Sequence, residues 1–142
     1  MYARDRVPIE QRVLLVAEPE ETDALLETAP DLEIVVADPS ELTRRAVDRR
    51  SRVAVWAGLD ADAGLRAMKS LRAARAEARL LFVTPPEVET ARLAALEAGV
   101  DEVVARPISV TELAGRIRLL LQRARPARRT RLVVGDDIEL DL

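Results

Sequence analysis

The stretch LEAGVDEVVARPISVTEL, residues 96–113, contains the end of one helix, a short strand and the beginning of a second helix. Gly99 suits the left-handed conformation in which many helices end. Val103–Ala105 is a short apolar run, typical of a buried strand. Ser109 and Glu112 form a capping box, in which the serine caps the first turn and the glutamate reaches back. A strand between two helices is the repeating unit of a parallel sheet covered by helices.

The same alternation extends outward along most of the chain. Five apolar runs without alternation are predicted to be buried parallel strands: Val13–Val16, Ile34–Ala37, Val53–Trp56, Leu80–Thr84 and Val103–Ala105. Five helical stretches follow them in turn: Thr22–Thr28, Leu42–Arg49, Ala63–Ala76, Val88–Ala98 and Glu112–Arg123. The pattern predicts an α/β fold, a doubly wound parallel five-stranded sheet with helices on both faces.

The composition excludes several classes of function. The 142 residues include no cysteine and no histidine, which removes disulfides, thiol nucleophiles and histidine-based metal sites. A net charge of −3 is not that of a nucleic-acid-binding domain. No apolar run approaches the roughly 18 residues of a membrane span. We therefore expect a cytoplasmic domain with no metal and no cofactor. The sequence has no glycine-rich phosphate loop and no catalytic triad, so we do not expect an enzyme.

Both ends of the chain differ from its middle. Residues 1–11 are polar and are predicted to be a flexible leader, and residues 12–123 form the domain. Residues 124–131 are a basic, proline-broken linker. Such a linker is either a flexible tether or a segment that contacts DNA phosphates once a DNA-binding domain is attached. Residues 132–142 read as a β-hairpin that begins a further, truncated domain, because a lone hairpin is marginally stable in water.

Four local matches make residues 12–123 similar to the receiver domains of OmpR/PhoB-family response regulators. They are Leu14–Pro19, Leu81–Thr84, Leu96–Glu102, and Arg106–Ser109 followed by Glu112-Leu113. The tail Leu132–Leu140 resembles the opening hairpin of that family's winged-helix DNA-binding domain. The resemblance implies a flavodoxin-like (CheY-like) fold and a DNA partner, bound through a C-terminal domain mostly absent from this sequence.

In that family, an aspartate at the end of the third strand accepts a phosphoryl group beside Mg²⁺. The resemblance puts Ala57 at this acceptor position, and a methyl group cannot be phosphorylated. Ala17 and Glu18 fall where the family has two metal-binding acidic residues, so one carboxylate is missing. Arg106 replaces the family's lysine, and Thr84 keeps its hydroxyl. We therefore expect a degenerate pocket with no catalytic residue and no bound metal.

Several details of this pocket stay open. Asp60 and Asp62 are predicted to lie in a solvated loop or to cap the next helix. The alternative is a conventional receiver domain in which one of them replaces the missing acceptor aspartate. Val103 occupies the position of the family's aromatic switch residue. Glu18 and Arg106 either pair across the pocket, which would supply permanently the charge balance of metal and phosphate, or are two solvated side chains.

The resemblance also implies a dimer interface on the face made by the fourth helix, the fifth strand and the fifth helix. Across a two-fold axis it would pair Arg92 with Glu112, Asp101 with Arg116, and Glu102 with Arg118. An apolar patch would consist of Leu93, Leu96 and Ala114. The plain alternative is ordinary surface charge, since a third of the chain is charged.

These observations predict a phosphorylation-independent regulatory domain of a DNA-binding transcription regulator, acting as a homodimer. The alternative is a sensor that binds a small-molecule ligand in the former phosphorylation pocket, because open α/β sheets bind ligands at the carboxyl ends of their strands. Its candidate residues are Glu18, Ala57, Gly58, Thr84 and Arg106.

Overall fold

The computed structural model describes residues 12–49, 51–74, 77–86 and 89–123. The predicted leader, basic linker and C-terminal hairpin lie outside these residues. Of the helices in the described segments, none is long and apolar enough to cross a membrane.

Strands and helices alternate from one end of the described chain to the other. Their bounds are β1 (Arg12–Ala17), α1 (Pro19–Thr28), β2 (Glu33–Val36), α2 (Leu42–Arg49), β3 (Val53–Ala57), α3 (Ala61–Ala73), β4 (Arg79–Thr84), α4 (Glu89–Glu97), β5 (Glu102–Ala105) and α5 (Val110–Arg123). All five predicted strands and all five predicted helices are present. Helix α1 begins at Pro19 rather than Thr22, because proline is favoured in the first turn of a helix. A 3₁₀ turn at Pro39–Glu41 was not predicted.

The strands form one parallel sheet in the order β2-β1-β3-β4-β5. In its register, Ala17 lies opposite Ala57, and Thr84 lies opposite Ala105. The strand order reverses between β1 and β3. Open α/β sheets bind ligands beyond the carboxyl ends of the strands at such a point. The residues that follow β1 and β3 are therefore the candidates for a functional site.

Both faces of the sheet are buried, which is why the strands lack alternation. On one face, Trp56, Phe82 and Met68 belong to a core closed by α2, α3 and α4. On the other face, Leu15 and Ile117 belong to a core closed by α1 and α5. Every residue of β3 is buried. The doubly wound architecture predicted from the sequence is therefore confirmed.

Two predicted helix ends have the expected local structure. Gly99 has φ +98°, in the left-handed region. The Ser109 hydroxyl accepts a hydrogen bond from the Glu112 amide at 3.0 Å. The other half of the capping box differs from the prediction, because the Glu112 carboxylate accepts from Arg116 one turn later. A cationic partner within reach outcompetes the neutral amide of Ser109, since hydrogen bonds between charged groups are stronger.

Candidate functional site

The carboxyl edge of the sheet brings together the residues predicted for the degenerate pocket. Ala57 ends β3 and is fully buried, and Ala17 lies beside it at the end of β1. Glu18 precedes α1 in extended backbone and makes no side-chain cap. Thr84 ends β4, and Arg106 follows β5. Parallel strands end at one edge, so the sheet explains why residues so distant in sequence meet.

The guanidinium of Arg106 fills this edge. Its two terminal nitrogens donate to the Glu21 carboxylate at 3.1 and 2.9 Å, in a bidentate pair. One of them also donates to the Ala57 carbonyl at 2.7 Å. The contacts join the β5–α5 turn, the first turn of α1 and the end of β3. Arginine suits this position because its planar fork matches a carboxylate at two points.

Of the two alternatives for Glu18 and Arg106, the pairing hypothesis named the wrong partner, because Arg106 pairs with Glu21. Glu18 lies just outside α1, whereas Glu21 lies in the first turn of the helix and is in hydrogen-bonding distance. The hydrogen bonds that Arg106 donates to Glu21, opposed by burial, raise the pKa of Arg106 above its ordinary value, and Glu18 adds a smaller attraction. The edge therefore holds a permanent positive charge with its own counterion.

The remaining polar groups of the edge are engaged in local structure. The buried Thr84 hydroxyl donates to the Val104 carbonyl at 3.5 Å, a long contact to the neighbouring strand. Asp60 caps α3 by accepting from the Ala63 amide at 3.0 Å, as the cap interpretation predicted. Asp62 is exposed in the first turn of α3. Within the described part of the chain, no three acidic side chains are grouped to hold a metal ion.

A cleft of about 680 Å³ adjoins this edge on the side of β2. Of the residues predicted for a sensor pocket, Glu18 and Gly58 line it, whereas its lining does not include Ala57, Thr84 or Arg106. The predicted set is therefore divided between an occupied edge and an open cleft.

The second predicted site is the α4–β5–α5 face, and its charged residues pair within the chain. Asp101 accepts from the Arg72 guanidinium at 2.6 Å, from the Leu80 amide at 2.7 Å and from Arg79 at 3.4 Å. Arg72 also donates to the Gly99 and Ala78 carbonyls. Asp101 thus fixes the α4–β5 connection to α3 and β4, a role that its predicted contact with Arg116 of a second molecule did not include.

The two predicted arginines of α5 also have partners of their own. Arg116 makes a close ion pair with Glu102 and a second one with Glu112 at 3.1 Å. Both carboxylates raise the pKa of Arg116 above its ordinary value, Glu102 more than Glu112. Arg118 pairs with Asp31, beyond the end of α1, at 3.0 and 2.8 Å, rather than with Glu102. Arg92 is exposed on α4.

The apolar patch of this face is partly different from the prediction. Leu93 and Leu96 are 52% and 44% exposed on α4. Ala114 is fully buried under α5, so its place in the patch is wrong. Leu119 is 52% exposed and shares the stripe of Glu112 and Arg116, because the three are spaced three and four residues apart. The exposed leucines of the face are therefore Leu93, Leu96 and Leu119.

The relatives of this chain that are named below are transcriptional regulatory proteins. No family model matches the chain. The transcriptional regulatory protein PmrA of Pectobacterium parmentieri is 32% identical over 85 residues, which are 60% of this chain and 38% of that protein. BasR of Escherichia coli, also a transcriptional regulatory protein, is 30% identical over 86 residues, 61% of this chain and 39% of that protein. These relatives are OmpR/PhoB-family response regulators.

A solved structure decides the fold. The receiver domain of the Francisella response regulator 1452 matches with a TM-score of 0.69 and 20% identity, over 81% of this chain and 99% of that one. The fold is that of a receiver domain. The chain spans about two fifths of the length of the curated relatives named above.

Three features of the two candidate sites were missed from the sequence. Glu21 carried one signal, because Pro19 marks the first turn of a helix and Glu21 lies in that turn, close to the end of β1. Leu119 could have been found from its spacing to Arg116 on α5. The Arg72–Asp101 contact had no sequence signal, since the two residues are 29 positions apart.

Proposed function

We propose that this receiver domain regulates a DNA-binding transcription regulator without phosphorylation, and that it acts by homodimerising on the α4–β5–α5 face. One observation carries the proposal. The Arg106–Glu21 pair, together with the hydrogen bond from Arg106 to the Ala57 carbonyl, occupies the carboxyl edge beside a buried methyl group.

Phosphoryl transfer to a carboxylate needs an acceptor, a divalent cation and donors for the phosphoryl oxygens. The methyl side chain of Ala57 has no oxygen atom that could accept a phosphoryl group. The carboxylate of Glu21 already neutralises Arg106, so a metal ion at this edge would compete with a fixed cation. Glu18 alone is a poor site for Mg²⁺, which is usually held by several oxygen ligands. These features support a domain that regulates without being phosphorylated.

Self-association is supported by the exposed leucines of the α4–β5–α5 face. Burying the exposed half of one leucine side chain stabilises an interface by about 1 kcal/mol. Exposed ion pairs contribute only ~0–1 kcal/mol each, so the charges would set the alignment of the two molecules. The surrounding ion pairs of Arg116 hold Glu102 and Glu112 in fixed positions, which reduces the entropy lost on association.

We assign DNA binding to a part of the protein outside this domain. The relatives named above are transcriptional regulatory proteins, and the matched segment is 38% and 39% of their lengths. A dimer of receiver domains would bring two attached DNA-binding domains to paired half-sites. In this scheme the domain is a cytoplasmic regulator and not an enzyme.

Sedimentation of the 142-residue chain over a concentration series tests the proposal, with and without Mg²⁺ and beryllofluoride. We expect a concentration-dependent dimer whose dissociation constant the additives leave unchanged. We also expect acetyl phosphate to add no phosphoryl mass. A chain that stays monomeric at high concentration would refute the dimer. A phosphorylated chain, or one that dimerises only with beryllofluoride, would refute phosphorylation independence.

A further inference from the structure

We propose that Arg79 is a positioning residue that fixes the carboxy-terminal turn of α5 to the α4–β5–α5 face. The basic linker, residues 124–131, follows directly after this turn. Arg79 thereby sets the point from which the linker leaves the domain. The use of this anchor to place DNA-binding domains rests on the proposed function, whereas the anchor itself is a property of the single domain.

The end of α5 lies beside the beginning of β4. Helix α5 runs back along the sheet from the end of β5, so its last residue, Arg123, meets the first residue of β4, Arg79. In the register of the sheet, Arg79 lies opposite Val53. Val53 belongs to the core closed by α1 and α5. Because residues opposite each other in neighbouring strands share a face of the sheet, Arg79 projects toward α5.

Arg79 joins two acceptors that belong to different elements. One terminal nitrogen of its guanidinium donates to the Arg123 carbonyl at 3.3 Å, and the other donates to the Asp101 carboxylate at 3.4 Å. Asp101 is itself fixed, because it accepts from the Leu80 amide at 2.7 Å and from Arg72 at 2.6 Å. The last four carbonyls of a helix have no partner within the helix, and a cation near them also complements the helix dipole. Arg79 therefore caps α5 from a neighbouring strand.

A second contact holds the side chain of the last residue of α5. Arg123 pairs with Glu102, the first residue of β5, at 3.6 Å. The Glu102 side chain is only 15% exposed, and it also pairs with Arg116, about two turns earlier in α5. The carbonyl of Arg123 is thus held from β4, and its guanidinium is held from β5.

These contacts tie the start of the linker to the α4–β5–α5 face, because Asp101 precedes β5 and Glu102 begins it. Helix ends fray easily. Four unwound residues extend over about 13 Å, compared with about 6 Å in a helix, so each linker would gain about 7 Å of slack. In a dimer this slack would arise twice, against a half-site spacing of about 34 Å. A fixed end of α5 therefore favours a defined separation of two attached DNA-binding domains.

Amide hydrogen exchange of the dilute, monomeric 142-residue chain tests the anchor. Arg79→Gln should speed the exchange of the α5 amides at 120–123 by about three- to fivefold, as expected for one partly exposed contact, and leave those at 113–117 unchanged. The matched control is Arg66→Gln, an exposed arginine of α3 that forms no ion pair with the described residues. Unchanged exchange in Arg79→Gln, or equal acceleration by both variants, would overturn the proposal.

Arg79→Lys separates a bridge from simple charge attraction. Lysine keeps the positive charge, but it lacks the planar fork that reaches the Arg123 carbonyl and Asp101 together. The last turn of α5 should therefore exchange nearly as fast in Arg79→Lys as in Arg79→Gln. Wild-type exchange in Arg79→Lys would show that charge alone stabilises the turn, and the bridge would be disproved.

Spin labels test whether the anchor sets the linker origins in the dimer. The chain has no cysteine, so Gln122→Cys provides one exposed label in the last turn of α5. The distance between the two labels of a dimer should have a narrow distribution, which Arg79→Gln should widen by up to about 7 Å. Equal widths would contradict positioning by Arg79. A chain that sediments as a monomer, but exchanges faster in Arg79→Gln, would refute the proposed dimer and support the anchor.

Discussion

The carboxyl edge of the sheet and the α4–β5–α5 face both hold arginines paired with carboxylates, yet the two sets of pairs have different surroundings. The side chains of Arg106 and Glu21 are 23% and 15% exposed, and they lie against the buried end of β3. On the α4–β5–α5 face, the side chain of Arg116 is 38% exposed, and those of its partners Glu102 and Glu112 are 15% and 54% exposed. Exposed leucines lie on the same face. A partly buried pair closes a site, whereas an exposed pair leaves the surface around it available to a second molecule.

The largest expected effect is on the stability of the fold. It tests whether Asp101 of the α4–β5–α5 face has a structural role rather than a role in docking. Asp101→Arg should destabilise the fold by about 3 kcal/mol, because it removes charge-assisted hydrogen bonds to Arg72 and to the Leu80 amide. Urea denaturation followed by circular dichroism measures the loss. Asp101→Asn, which keeps the size and one acceptor oxygen, should cost less. A folded Asp101→Arg variant with unchanged stability would contradict the structural role of Asp101.

Removal of Arg106 tests whether the carboxyl edge is held closed by its ion pair. Arg106→Met should destabilise the domain by about 2 kcal/mol, because Glu21 and the Ala57 carbonyl lose their partner. Arg106→Lys should lose less, since it keeps the charge but not the bidentate geometry. Denaturant midpoints of the three proteins give the comparison. Wild-type stability in Arg106→Met would mean that the pair does not close the edge.

Leucine variants test the docking part of the α4–β5–α5 face. Leu93→Asn and Leu119→Asn should each weaken dimerisation by about tenfold, which corresponds to ~1.4 kcal/mol, and leave folding stability nearly unchanged. The matched control is Leu26→Asn, a leucine of α1 that is 43% exposed. Sedimentation equilibrium provides the dissociation constants. Equal weakening by all three variants would show that the leucines of this face are not specific contacts.

The smallest expected effect concerns pH. The hydrogen bond from Arg118 holds the pKa of Asp31 below its ordinary value of 3.8 in the folded chain. The pair therefore stabilises the fold fully above that value, and the contribution is lost as pH falls through the lower folded pKa. Asp31→Asn should reduce stability slightly at neutral pH and converge with the wild type in acid. A difference that persists unchanged at low pH would rule out the Arg118 pair as its cause.

Sequence reasoning was most accurate where a local rule applied. Gly99 and the Ser109 cap were predicted from local conformation and hydrogen bonding, and both are present. The bounds of α2 also agree with the prediction. Ala114 was misassigned, because the family resemblance was followed although Ile117, three residues later, already marked the buried side of α5.

The sequence by itself determined the strand and helix order, the burial of both faces of the sheet, and the presence of alanine at the end of β3. These follow from apolar patterning and from residue identity, which are local properties. The tertiary structure alone decided which carboxylate each arginine contacts. Arg106 meets Glu21 across 85 positions, and Arg118 meets Asp31 across 87. Arginine side chains are long enough to reach several acidic residues, and only the packed backbone determines which of these lies within hydrogen-bonding distance.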